Sequence, residues 1–291
     1  MKRYLYIVIV ITILTGVLTS CQKEITVNLD QGTSQLAMSA FINNKPETQT
    51  IILSNTTGYF SNTPSPAATG ATVSVKDNKG NNYNFVDAIS KGRYEWVPNP
   101  GDTMIRLGYT YTLTINYNSV NYQAVSLANP VPKIDSMSDV LSTGFTNGGP
   151  KGSYVAQFFA TDFKGRPDYY WIKTYKNDSL LDPQGLNISQ DGGVGGPGVD
   201  GLPFIYPVRH SINPRKGYAL GDTCYVEVHS ISYETFFFFG NVTQQTNNGG
   251  LFATPPANVG TNIKNTDPKS SVKAVGFFNV AMVSSAGLRI K

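Results

Sequence analysis

The chain has 291 residues, a formal net charge of +4 and only 14% charged residues. Charge this sparse and this close to neutral excludes the basic footprint of a nucleic-acid binder. Few charges with many Gly, Pro and aromatic residues read as an exported all-β protein rather than a helical cytosolic enzyme, and the length allows one large or two ordinary domains.

Residues 1–20 read as a lipoprotein signal peptide. Lys2 and Arg3 form a short positive region, and Tyr4 to Val17 is an apolar run. That run is shorter than the roughly 20 residues needed to span a bilayer. It ends in Leu18-Thr19-Ser20-Cys21, a branched apolar residue, two small residues and a cysteine, which resembles the bacterial lipobox. At such a site the thiol of Cys21 takes a diacylglycerol. Cleavage before Cys21 then frees an amine for a further acyl chain such as palmitate, and two or more chains anchor stably. The alternatives are an uncleaved anchor helix or a plain secretory signal. With Cys21 lipidated, Cys224 has no partner for a disulfide.

Residues 21–34 are a polar tether, and strand pattern begins beyond them. Leu36 to Ile42 and Thr48 to Ser54 are separated by the turn Asn43-Asn44-Lys45-Pro46. Residues 55–69 form a loop whose tip carries Tyr59 and Phe60. Gly70 to Asp77 alternates at period two into the hairpin turn Asn78-Lys79-Gly80, and Asn82 to Val86 returns. Gly92 to Trp96, Gly108 to Ile115 and Tyr122 to Val125 complete about seven strands, which predicts a β-sandwich over residues 35–129.

Pro130-Val131-Pro132 cannot continue a central strand, and the domain boundary is placed there. A second β-rich domain is predicted over residues 130–291. Its strands are Lys133 to Leu141, Ser153 to Ala160, Asp168 to Tyr175 with Trp171 at its centre, Gly221 to Ser230, and one or two within Val272 to Val283. Cys224 alternates inward as a small core residue. Residues 182–203 are a long Gly-rich loop, the kind that is either functional or disordered. Ser232 has the chemistry of a helix N-cap, with Glu234 in the first turn. The helix near 233–247 is expected to cover Tyr233, Phe236, Phe237 and Phe239 with one face. The fold class is therefore mainly β, two β-sandwich-like domains with one short helix in the second.

Gly-Ala-Thr-Val at 70–73, Gly92-Arg93-Tyr94 and Gly108-Tyr109-x-Tyr111-x-Leu113 resemble the transthyretin-like or carboxypeptidase-regulatory-like sandwich of exported bacterial proteins. Further motifs follow in order: Asp168-Tyr169-Tyr170, Gly221-Asp222-Thr223 with Val226-Glu227-Val228, Pro255 to Val259 with Asn262-Ile263, and Ala274-Val275-Gly276-Phe277-Phe278. With the lipobox cysteine, the whole series looks like the Bacteroidetes lipoprotein family known as domain of unknown function 4249. One departure is Gly260-Thr261 before Asn262-Ile263, where the family more often has a Gly just before Asn-Ile. The resemblance implies an outer-membrane lipoprotein, often encoded beside a TonB-dependent outer-membrane transporter. It brings no established catalytic residues. Gln22-Lys23-Glu24 resembles part of a surface-export tag, which favours the outer face of the outer membrane over the periplasmic one.

No catalytic residue, metal site or cofactor is expected. The two histidines, His210 and His229, lack ligand spacing. Asp191, Asp200 and Asp222 fit no calcium loop and read first as turn chemistry. Candidate ligand-binding residues are aromatic: Tyr59 and Phe60 on a loop, with Trp96 and Trp171, against the alternative that such rings fill cores. The function expected is a non-catalytic envelope lipoprotein that binds a ligand or partner and assists a TonB-dependent transporter. A structural or adhesion component is the second reading. The third is a hydrolase with an atypical site in the 182–203 loop, requiring Asp162, Asp168 or His229 to converge.

Overall fold

The computed structural model describes residues 33–58, 61–144, 149–181, 186–193, 198, 200–248 and 259–291. The signal peptide, nearly all of the tether, Cys21, Tyr59 and Phe60 lie outside them. The chain is mainly β, with two helices among the described residues.

Seven strands form where alternation places them: β1 (Leu36–Asn43), β2 (Gln49–Asn55), β3 (Thr72–Asp77), β4 (Asn82–Phe85), β5 (Arg93–Trp96), β6 (Thr110–Tyr117) and β7 (Val120–Leu127). In β1, Leu36, Met38, Ala40 and Ile42 point inward while the residues between them do not, the period-two signature of a half-buried strand. Two sheets enclose one core. Their inner faces supply Ile42, Leu53, Val75, Tyr94, Tyr111 and Ile115. The core is completed from the far end of the chain. β14 (Lys264–Asn265) pairs with β7, and β15 (Ala274–Ala281) lies parallel to β1, with Met38 opposite Gly276.

Two sequence motifs acquire a cause here. Gly276 has φ +99°, and a Cβ there would collide with the Met38 carbonyl, so the parallel pairing demands a glycine. Tyr111 is fully buried, and its hydroxyl donates to the Met104 carbonyl (2.9 Å) and accepts from the Arg106 N–H (2.7 Å). A tyrosine tying a strand back to backbone a few residues upstream is a known corner device of β-sandwiches.

The second group of elements begins after the Pro130–Pro132 connector. β8 (Ile134–Leu141) and β9 (Tyr154–Ala160) form a hairpin. β10 (Tyr169–Lys176), β11 (Ser179–Leu180), β12 (Ile188–Gln190), β13 (Thr223–Ile231) and β16 (Val283–Arg289) form one sheet with β10 and β13 at its centre. One face of β10 and β13 carries Tyr170, Ile172, Cys224, Val226 and Val228 against the hairpin, making a second core. Cys224 is free and buried there. β15 runs into β16 through the single residue Met282, so one segment belongs to both sheets. Residues 34–57 and 62–291 form one compact unit.

α1 (Tyr206–His210) follows the Gly-rich stretch and was not foreseen; Pro207 in its first turn is pre-set for helix. α2 (Tyr233–Thr246) starts where predicted. Ser232 Oγ accepts from the Thr235 N–H (3.1 Å), the capping bond that stabilises a first turn. The expected aromatic face is corrected in detail. Thr235 and Phe239 are the buried positions, whereas Tyr233 and Phe237, one turn apart, face outward and stack on each other. Thr235 Oγ1 fixes this rotation by donating to Asn279 Oδ1 (2.8 Å) on β15.

Candidate functional site

The outer face of β10 and β13 meets the first sandwich in an aromatic and polar layer. Trp171 on β10 packs edge-on to Phe41 of β1 (5.7 Å) and to Phe239 of α2 (4.9 Å), and the Lys173 ammonium lies 4.0 Å from its ring centre. Trp171 is thus half-buried in this layer. Trp96 sits elsewhere, edge-on to Tyr83 (5.5 Å) beside the first core. The two tryptophans share no ring neighbour, and Tyr59 and Phe60 lie outside the described residues.

The same layer holds a buried charge network. Gln49 fixes the β1–β2 turn by accepting from the Asn43 N–H and donating to the Lys45 and Glu47 carbonyls. The turn so held delivers Lys45 Nζ to 2.6 Å from Glu227 Oε1 and 2.9 Å from Glu47 Oε2. His229 Nε2 is 2.9 Å from Glu227 Oε2. Burial pushes Glu227 up, but bonds from His229 and Lys45 outweigh it and hold the carboxyl at about 2. Burial pushes His229 down to about 4 against the pull of Glu227, so near neutrality a neutral imidazole donates to a carboxylate. Burial pushes Lys45 down, but its acidic partners Glu227 and Glu47 together outweigh that and raise it above its ordinary range. This network ties the first sandwich to the second sheet.

A different cluster lies on the loop between β9 and β10. Asp162 and Asp168 are both buried, and burial raises both carboxyls, with neighbouring negative charge adding to the rise. Tyr170 donates to Asp162 Oδ1 (2.5 Å). Arg166 Nη2 pairs with Asp168 Oδ1 (2.5 Å). Asp191, at φ +48°, accepts the Asp168 N–H (2.8 Å) and returns its own N–H to the Asp168 carbonyl (2.8 Å). Burial pushes the Asp168 carboxyl up to about 6, with Arg166 pulling the other way and Asp162 and Asp191 adding to the rise. Asp168 Oδ2 and Asp162 Oδ2 are buried without a hydrogen-bond partner. His229 does not join them; its carboxylate partner is Glu227.

The three aspartates weighed for calcium serve separate turns. Asp191 holds Asp168, Asp200 accepts the Gly165 N–H (2.7 Å), and Asp222 accepts the Ala219 N–H (2.7 Å) and pairs with Lys176 (2.8 Å). Among the described residues no group of three or more His, Cys, Asp or Glu side chains is placed to hold a metal ion.

Arg166 and Asp168 line a cleft of about 390 Å³, with Asn129, Tyr169, Tyr233 and Glu234 also in its walls. It opens between the end of β7, the start of β10 and the first turn of α2. Tyr169 packs on Tyr233 (5.5 Å) and on Phe236 (5.1 Å), so the start of β10 and the helix are locked together at the rim. A larger cleft of about 630 Å³ lies beside β10, lined by Thr174, Leu181, Asn187, Asn213 and Arg215. It carries no buried charged group, which makes the smaller cleft the stronger site. Sequence reasoning singled out Asp168 and noted Glu234, but not Arg166 or the outward Tyr233. The signal for Arg166 was its place two residues before Asp168 across Pro167, where an extended turn brings the pair together.

Among the described residues no helix is long and apolar enough to cross a membrane. No curated protein matches the chain. Residues 22–286 match the family described as Domain of unknown function (DUF4249), and the chain belongs to that family.

Proposed function

We propose that this protein is a non-catalytic lipoprotein of the Bacteroidetes outer membrane. It is held by acyl chains on Cys21 and binds a ligand or partner on behalf of a TonB-dependent transporter. The observation that carries the binding half of this reading is the cleft at Arg166 and Asp168. A buried carboxylate with an unpartnered oxygen is costly to keep. Asp168 lines the cleft together with the Arg166 guanidinium, Glu234 and the exposed Tyr233 ring, the mixture that characterises ligand sites. The lipobox Leu18-Thr19-Ser20-Cys21 carries the anchoring half, and the tether after it gives the folded body reach from the membrane. Assistance to a transporter follows from the family's usual neighbour and from the need of a non-catalytic binder for a protein that acts on what it captures.

The test is affinity capture of the full-length protein from detergent-solubilised outer membranes of its own host. A large β-barrel protein is expected in the eluate with the wild type. A clean capture containing none contradicts the transporter role and leaves a structural or adhesion component in its place.

A further inference from the structure

We infer that the cleft between β7, the β9–β10 loop and α2 binds a neutral, polyhydroxylated ring ligand, one or two units of a sugar. The ring stacks on Tyr233, and its hydroxyls bridge Arg166 and Glu234. The inference rests on the ligand-binding half of the proposed function and deepens it.

Arg166 is paired with Asp168 at 2.5 Å and Glu234 stands in the same wall, so the cleft presents no net positive charge to an anion. The N-terminus of α2 also opens here, but Ser232 and Glu234 already serve it. For a metal ion no three-residue cluster exists among the described residues, and an organic cation would have Glu234 alone, since Asp168 is taken by Arg166. A wholly apolar ligand would strip water from Arg166 and Glu234 and return no hydrogen bond. A hydroxyl suits both partners, because it donates to a carboxylate and accepts from a guanidinium at once.

Shape points the same way. Tyr233 is 56% exposed and lines the cleft, and its ring contacts Tyr169 (5.5 Å) and Phe237 (6.3 Å), which restrain it and lower the entropic cost of stacking on it. Buried Asp168 holds the partly exposed Arg166 guanidinium through Nη2, and a guanidinium carries more donors than this one bond uses. At about 390 Å³ the cleft stands near the small end of ligand pockets, roughly 300–1,000 Å³, and fits one or two rings rather than a long chain segment.

The test is titration of the purified full-length protein in detergent with neutral pentoses, hexoses and their disaccharides, read by calorimetry and ligand-observed NMR. Glucuronate, glucosamine and a neutral dipeptide serve as comparisons. At least one neutral sugar should bind with Kd below about 5 mM, and more tightly than the charged comparisons. Tyr233→Ala and Glu234→Gln, each first shown to keep the wild-type circular dichroism spectrum and a cooperative unfolding transition, should each weaken it at least about 10-fold. The inference is overturned if no neutral sugar binds, if both variants bind as the wild type does, or if a charged sugar or the dipeptide binds best. Failure here with a β-barrel still captured leaves the proposed function standing. Sugar binding with no barrel captured removes the transporter role and leaves the cleft assignment intact.

Discussion

Single residues set both the rigidity and the pH response of this protein. Tyr111→Phe removes one oxygen and leaves the Met104 carbonyl and the Arg106 N–H without their partner. The loss should be about 1–3 kcal/mol in a urea denaturation series, the cost of stranding buried polar groups. Two buried titrating groups oppose each other in weakly acidic solution. His229 has its folded pKa lowered from 6.5 to about 4, so the unfolded chain takes up the proton first. Its contribution is full above pH 6.5 and is lost as pH falls toward about 4. Asp168 is raised from 3.8 to about 6, so the native state holds the proton more tightly. Its contribution is full below pH 3.8 and is lost as pH rises through about 6. Each variant therefore unmasks the other group. Between pH 6.5 and 4, His229→Gln should lose less stability on acidification than the wild type, and Asp168→Asn should lose more. Denaturant midpoints that change with pH in the same way in all three proteins would contradict both assignments.

Elements were legible in proportion to how local their causes are. The alternation of Leu36 to Ile42 or Thr110 to Ile115 is a property of neighbouring residues, and so is the cap at Ser232; these elements stand where the sequence put them. The short helix at Tyr206–His210 has too few residues for a periodic pattern, and β12 is three residues inside a Gly-rich stretch. The parallel pairing of β15 with β1 joins segments more than 200 residues apart and leaves one local trace, Gly276. Rotation of α2 is not legible in the sequence, because four consecutive Phe hide which face is buried; Thr235, reaching Asn279, decides it. Of the site, Asp168 was visible as one of two nearby carboxylates, and Glu227 and His229 share a strand face by period two. Lys45 reaches them from 182 positions away and had no sequence signal. Glycines give paired tests of these elements. Gly276→Ala should cost about 3 kcal/mol or more, because the Met38 carbonyl blocks the new methyl group. Gly240→Ala, in the exposed interior of α2 with open space around it, should stabilise by about 0.5–1 kcal/mol. Thermal or chemical unfolding of the two variants should show opposite signs.

At the scale of the whole molecule, two cores are joined by the β15–β16 segment and by the Lys45–Glu227–His229 network, and the candidate cleft opens at the same junction. A cleft bounded by elements of both halves is held in shape by what welds them. Loosening the weld with Lys45→Met strands Glu227 beside His229, and should destabilise the fold by about 3 kcal/mol or more. The polypeptide after residue 20 is a body for which membrane attachment is proposed to reside in one residue, Cys21. Cell fractionation of a Cys21→Ala variant tests this directly. The account predicts that the variant leaves the membrane fraction and appears as a folded, soluble periplasmic protein; retention in the membrane fraction at the wild-type level would contradict it.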